Sequence, residues 1–292
     1  MIELKELLVC AVCHAELPLE HIERAGTGSC PGCGQRYAYE QGVYSLAPQL
    51  PPNEMPEDKV GAWQTLQANG LVSYTTAPEF NLSVGLREDA LAFKSFCRLS
   101  GLILDIGCGT QYLPSYLPED GAVVGLDPFR GQQPRGFAFV RGLGEYLPFR
   151  DGTFDHILFA TSLDHMINPR RALAEAERCL TPKGYLNLWL DAQAESHAGP
   201  AASSWGRYQL LAKKGFRSLA RGGWIEKLGW WRTLSYIGAV ARMKVPEGAV
   251  DYFHLDHLML TEVRGWLDEL GLRVAREEVF PASDGLFIQA QH

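Results

Sequence analysis

Between residues 101 and 190 the chain carries four short apolar runs, GLILDIG, AVVGLD, HILFAT and YLNLWL, spaced by stretches long enough for crossovers. Each run is nearly continuous rather than alternating, so a strand built from it must be covered on both faces. Buried strands separated by helices form a parallel sheet between two helical layers. The last crossover has the clearest punctuation. In NPRRALAEAERCLTPKG, Asn168 stands as an N-cap and Pro169 as the first helical residue; Ala172, Leu173, Ala176 and Leu180 make one apolar face, and Gly184 follows the stop. LREDALAFKSFCRL and TEVRGWLDELG predict further helices. RVAREEVF and GLFIQAQ predict two strands joined by PASD, a connection short enough to suit antiparallel pairing.

Ahead of this region CAVC, holding Cys10 and Cys13, is answered by CPGC, holding Cys30 and Cys33. Two C-x-x-C knuckles at C-x2-C-x16-C-x2-C spacing are the pattern by which four thiolates enclose one zinc ion. Four sulfur ligands leave zinc no open position for water, so the expected role is structural, with His14 a bystander. Residues 1–47 therefore read as a small zinc-ribbon module with β-like runs RYAYE and GVYSLA. Residues 48–60, with four prolines and no periodicity, read as a linker, and 61–292 as the main domain. Cys97, Cys108 and Cys179 are expected as free thiols in a cytoplasmic protein, since no stretch resembles a signal peptide or a membrane span.

The first strand runs into LILDIGCGTQYL, placing Asp105, Gly107 and Gly109 where a strand ends and a helix is expected to start. Glycines there let the backbone approach a ligand. Asp127 ends the next strand, positioned to accept ribose hydroxyls. A nicotinamide dinucleotide fingerprint needs glycine at 112, where Tyr112 stands.

DIGCGT resembles the first motif of the class I S-adenosylmethionine (SAM) methyltransferases of type 11. GEYLPFRDGTFDHILF resembles that family's adenine-side segment and fourth strand, and LDHMINPRRALAEAERCLTPKGYLNL its next loop, helix and strand. The resemblance spans about residues 100–190, more loosely 250–292. It implies a Rossmann-like seven-stranded sheet, mostly parallel with an antiparallel last strand, and SAM as cofactor. By resemblance, Asp105, Gly107, Cys108 and Gly109 cradle the methionine part, Asp127 meets the ribose, and Glu145 and Tyr146 lie near the adenine. Two positions depart from the family: Gln111 where a third glycine is usual, and Leu143 where an acid often stands. Asp155, at the start of the fourth strand, reads as structural. His165 beside Asp164, and His254 and His257 in DYFHLDHLML, are the candidate catalytic groups.

The chain has a net charge of −7, yet Trp205 to Lys244 holds nine Lys or Arg against Glu226 alone, interleaved with tryptophans. This insert, about 196–250, is suited to covering an acceptor, to stacking RNA bases, or to peripheral contact with an anionic membrane. The favoured acceptor is an O or N atom of a small or carrier-linked metabolite, such as a natural product or cell-envelope saccharide. The acidic bulk and the ending HLDHLMLTEVRGWLDELGL, similar to those of metabolite O-methyltransferases, support it. The alternatives are a ribosomal-RNA base methyltransferase gripping RNA through its ribbon, and a non-catalytic protein of the same fold. Nothing in the sequence fixes the oligomeric state.

Overall fold

The computed structural model describes residues 3–49, 57–77, 88–110, 113–131, 135–191, 223–255, 258–280 and 285–292. The N-terminal module contains α1 (Leu4–Leu7), α2 (Leu19–Ala25), β1 (Thr27–Ser29), β2 (Arg36–Glu40) and β3 (Val43–Ser45). Then follow α3 (Glu57–Thr76), α4 (Glu88–Cys97), β4 (Leu102–Ile106), β5 (Ala122–Asp127), β6 (Ala138–Arg141), β7 (Phe154–Ala160), α5 (Pro169–Cys179) and β8 (Leu180–Asp191). The chain closes with α6 (Gly223–Val240), α7 (Leu260–Glu269), β9 (Arg273–Phe280) and β10 (Gly285–Gln291).

One sheet runs through the molecule in the order β1-β2-β3-β6-β5-β4-β7-β8-β10-β9. From β3 to β8 every pairing is parallel, while β10 lies antiparallel to both β8 and β9. Among the described residues the sheet thus has ten strands where seven were expected, because β1–β3 continue it beyond β6. Tyr44 and Ser45 pair with Val140 and Arg141. β6 spans only four residues and would otherwise leave its backbone groups unpaired along one edge. The N-terminal segment is accordingly joined to the rest of the chain by backbone hydrogen bonds: Val9 N–H donates to Pro148 O and Arg150 N–H to Leu7 O.

Neighbouring residues of each central strand enter opposite layers. Ile103, Val123, Leu158, Trp189 and Phe287 pack with Phe93 and Phe96 of α4. Leu104, Val124, Ile157, Leu186 and Ile288 join Leu173 and Ala176 of α5 and Val263 and Leu267 of α7. Burial on both sides is what the unbroken apolar runs required. The outer strand β9, by contrast, is exposed along most of its length and carries Arg273, Arg276, Glu277 and Glu278, charges that discourage further pairing.

Three further expectations need correction. No helix follows the glycine loop among the described residues between β4 and β5. Pro114 and Pro118 fall where its turns would run, and each removes an N–H and crowds the preceding turn; two isolated turns, Leu117 N–H to Pro114 O and Gly121 N–H to Pro118 O, remain. Helix α5 opens as expected, with Asn168 Oδ1 accepting from Arg171 N–H at 3.0 Å, but it ends at Cys179, so Leu180 starts β8. Pro182 biases its predecessor to extended backbone and so shortens the helix. α3 begins at Glu57, inside the stretch read as linker, and packs against α6, where Ala77 meets Tyr236 and Val240. The first half of the insert, up to residue 222, lies outside the described residues. No described helix is long and apolar enough to cross a membrane.

Candidate functional site

A cavity of about 470 Å³ opens at the carboxyl ends of β4, β5 and β7, bounded on the far side by α3 and the segment around Phe253. This is the crevice that open α/β sheets offer to ligands, and its volume falls within the usual range of about 300–1,000 Å³.

Gly107, Cys108 and Gly109 form its floor. Gly107 has φ 82°, and a Cβ there would lie 2.4 Å from the Ser162 Cβ; only glycine fits. Gly109, with φ 76°, donates its N–H to Asp127 Oδ2 at 2.8 Å. Phe129 N–H donates to Asp127 Oδ1 at 2.8 Å. The Asp127 carboxylate is thereby fixed on the cavity wall, each oxygen keeping a lone pair for a further donor. Burial pushes its pKa up to about 7, against the opposing pull of those two N–H groups and Arg135. Cys108 contributes backbone; its thiol is buried beside Arg135, 3.5 Å from Nη1, and burial raises it well above the ordinary thiol value.

Asp105 sits beneath the wall rather than on it. Its Oδ2 accepts from the Tyr116 hydroxyl at 2.9 Å, Tyr116 itself lines the cavity, and Asp105 Oδ1 is buried without a hydrogen-bond partner. Burial raises Asp105 to about 7, with the Tyr116 hydrogen bond opposing. Glu145 is on the wall, but its Oε1 accepts from Ile167 N–H at 2.7 Å and Asn168 N–H at 3.3 Å, so the carboxylate pins the loop that leads into α5. Tyr146 is buried away from the cavity under the Arg171 guanidinium, 4.0 Å from its ring centroid. Leu143 and Gly144 stand on the wall in its place. Asp155 accepts from Leu102 N–H at 2.8 Å and so ties two strands together, as expected.

The opposite end of the cavity is built by Asp164, His165 and His254. The two imidazoles stack with centroids 4.6 Å apart and planes 14° from parallel. His165 Nδ1 lies 3.1 Å from Phe253 O, and since a carbonyl only accepts, that nitrogen carries a proton. His254 Nδ1 lies 2.9 Å from both oxygens of Asp251, and its Nε2 lies 3.4 Å from Asp164 Oδ2. Against the desolvation that burial imposes, these two carboxylates raise His254 to about 10. Asp251 falls to about 2, the contacts with His254 overcoming its own desolvation. His257 lies outside the described residues.

Sequence patterning did not assign α3 to the site. Trp63, Gln67, Gly70 and Tyr74 form one wall, and Trp63 Nε1–H donates to His165 O at 3.1 Å. The signal available was a helix with aromatic residues on the face that also carries Gly70.

In the N-terminal module, Cys10, Cys13, Cys30 and Cys33 converge with all sulfurs within 4.8 Å of one another. Cys10–Cys33 and Cys13–Cys30 are 3.6 and 3.5 Å apart, against about 3.8 Å for two thiolates on a tetrahedral ion with 2.3 Å bonds. The knuckles match. His14 N–H returns to Cys10 O and Gly34 N–H to Cys30 O, both at 2.9 Å. Both residues take left-handed backbone, φ 56° and 76°. Val12 N–H and Gly32 N–H donate to Cys10 and Cys30 Sγ at 3.4 and 3.3 Å. The His14 ring turns toward Glu175, 3.7 Å away, and takes no part in the cluster.

Fold and cavity define a Rossmann-like α/β protein with a cavity at the carboxyl edge of its sheet. Residues 104–188 match the family model described as a methyltransferase domain. An uncharacterized methyltransferase of Mycobacterium tuberculosis is 36% identical over 94 residues, covering 30% of this chain and 38% of that protein. An uncharacterized protein of Methanocaldococcus jannaschii is 32% identical over 82 residues, 28% of this chain and 40% of that one. The chain thus spans about two-fifths of the length of the curated relatives it matches. Among solved structures, 1,6-didemethyltoxoflavin-N1-methyltransferase of Burkholderia thailandensis aligns at TM-score 0.47 and 13% identity, over 89% of this chain and 96% of that one.

Proposed function

We propose that the chain transfers a methyl group from SAM to an oxygen or nitrogen atom of a small or carrier-linked metabolite. The observation that carries this is the Gly107–Gly109 turn locked to Asp127 at the mouth of the cavity, within a segment matching methyltransferase domains. The lining suits SAM. The turn at Gly107 and Gly109 carries no side chain, so a ligand can approach its backbone closely, and Asp127 keeps acceptor capacity for ribose hydroxyls. The Leu143–Gly144 wall offers an apolar slot for a planar base. When bound, SAM supplies a methyl group already activated by its sulfonium. The protein's work is then alignment and exclusion of water: α3 closes the cavity opposite the glycine loop, and Trp63 holds the His165 segment in place. Asp164, His165 and His254 stand at the far end of the cavity, where an acceptor would meet them.

Zinc in the four-cysteine site acts as a structural brace. The sulfur spacing and the paired knuckles support that reading, and the β3–β6 pairing links the brace to the strand that leads into the cavity wall.

Offering radiolabelled SAM to a cell extract, with and without RNase, tests the acceptor class. Label should appear in small or carrier-linked material and survive RNase; label lost on RNase treatment would move the acceptor to RNA.

A further inference from the structure

We propose that Asp164, His165 and His254 form a binding site for a divalent first-row transition-metal ion at the acceptor end of the cavity, separate from the four-cysteine site. One donor atom from each residue lies within 4.8 Å of the others, and His254 Nε2 is 3.4 Å from Asp164 Oδ2. An ion with bonds near 2.1 Å holds adjacent ligands about 3.0 Å apart and opposite ones about 4.2 Å apart, so small side-chain rotations close the cluster around it.

Three further features separate this group from an ordinary ion pair. Both imidazoles are anchored through Nδ1, His165 by the Phe253 carbonyl and His254 by the Asp251 carboxylate. Metal-bound histidines are oriented in this way, one ring nitrogen held by an outer acceptor and the other on the ion; at His254 the ion would replace the proton that Nε2 shares with Asp164 Oδ2. Asp164 Oδ1 is buried and has no hydrogen-bond partner, a costly state for a carboxylate oxygen that an ion or its bound water would satisfy. All three residues line the cavity, so positions not taken by protein face the place where an acceptor sits. Two imidazoles and one carboxylate favour a first-row transition ion over calcium or magnesium.

The site deepens the methyl-transfer reading and rests on it for its purpose, though not for its existence. An acceptor hydroxyl on the ion loses its proton to water more readily than a free one. The oxygen then forms its bond to the methyl carbon as the carbon–sulfur bond breaks, and that bond's electron pair stays on sulfur.

The test uses full-length, zinc-loaded protein with Mn²⁺, which thiolates bind poorly, followed by the loss of its free-ion EPR signal, and Ni²⁺ by calorimetry. One Mn²⁺ per chain should bind. Asp164→Asn and His254→Gln should each weaken binding at least tenfold, and Asp251→Asn by about 10- to 100-fold through loss of the outer anchor; circular dichroism checks that each variant folds. Wild-type protein that takes up neither ion, or variants that bind as wild type does, would overturn the site. SAM titrated in parallel into metal-depleted protein reads out the methyl-transfer proposal separately: SAM binding without metal binding sinks the metal site alone.

Discussion

At the scale of single residues, Asp127 and Gly107 decide whether the cavity holds a nucleotide-type ligand. Asp127 has a folded-state pKa of about 7 against an ordinary 3.8, so between those values the folded chain holds a proton that the unfolded chain has lost. Its contribution to the stability of ligand-free protein is therefore full below about pH 4, falls as pH rises to about 7, and is level above that. Ribose hydroxyls donate to the ionised form, so SAM affinity should run the other way and strengthen as pH rises through about 7. Calorimetry from pH 6 to 8 checks this. Asp127→Asn should bind more weakly and lose the slope, whereas a slope unchanged in Asp127→Asn would assign it to another group. Gly107→Ala places a methyl 2.4 Å from Ser162 Cβ on left-handed backbone. It should cost at least about 1–2 kcal/mol in urea denaturation and distort the ligand site with it. Gly109 and Asp127 were legible as residues in the sequence, but their mutual lock was not, because nothing in a linear pattern says which N–H a carboxylate will choose. The same holds for Asp105 and Glu145: sequence placed them near the ligand, while Tyr116 and the Ile167–Asn168 backbone take up their oxygens.

Elements show where local signals suffice. The four apolar runs became β4, β5, β7 and β8 because each had both faces to bury. The α5 N-cap was equally plain, and Asn168→Ala should cost about 1 kcal/mol of unfolding free energy, measurable as a lower urea midpoint with an unchanged slope. β6 was missed because AFVR is too short to show periodicity; its identity comes from lying between β5 and β3. The helix expected after the glycine loop failed for a reason written in the chain, Pro114 and Pro118, so a loop rather than a helix terminus borders the cavity there. α3 was not read as a cavity wall, since an apolar face toward a ligand looks the same as one toward a core. Asp164 and His254, like Trp63 and His165, come together from about 90 to 100 residues apart, a distance no motif spans.

For the whole molecule, the continuous sheet makes the N-terminal module part of the main domain's architecture. β3 covers the β6 edge, and Leu8 forms a β-bridge to Phe149. If the four cysteines hold zinc as proposed, chelating it should therefore lower the melting temperature of the entire chain as one cooperative transition; a main domain that melts unchanged would show that the two parts are independent. The central claim concerns the cavity at the other end of those strands, and calorimetric titration of SAM into wild-type and Asp127→Ala protein tests it most directly. One saturable site per chain that Asp127→Ala abolishes is the result expected. No binding to the wild type, or equal binding to both, would contradict it.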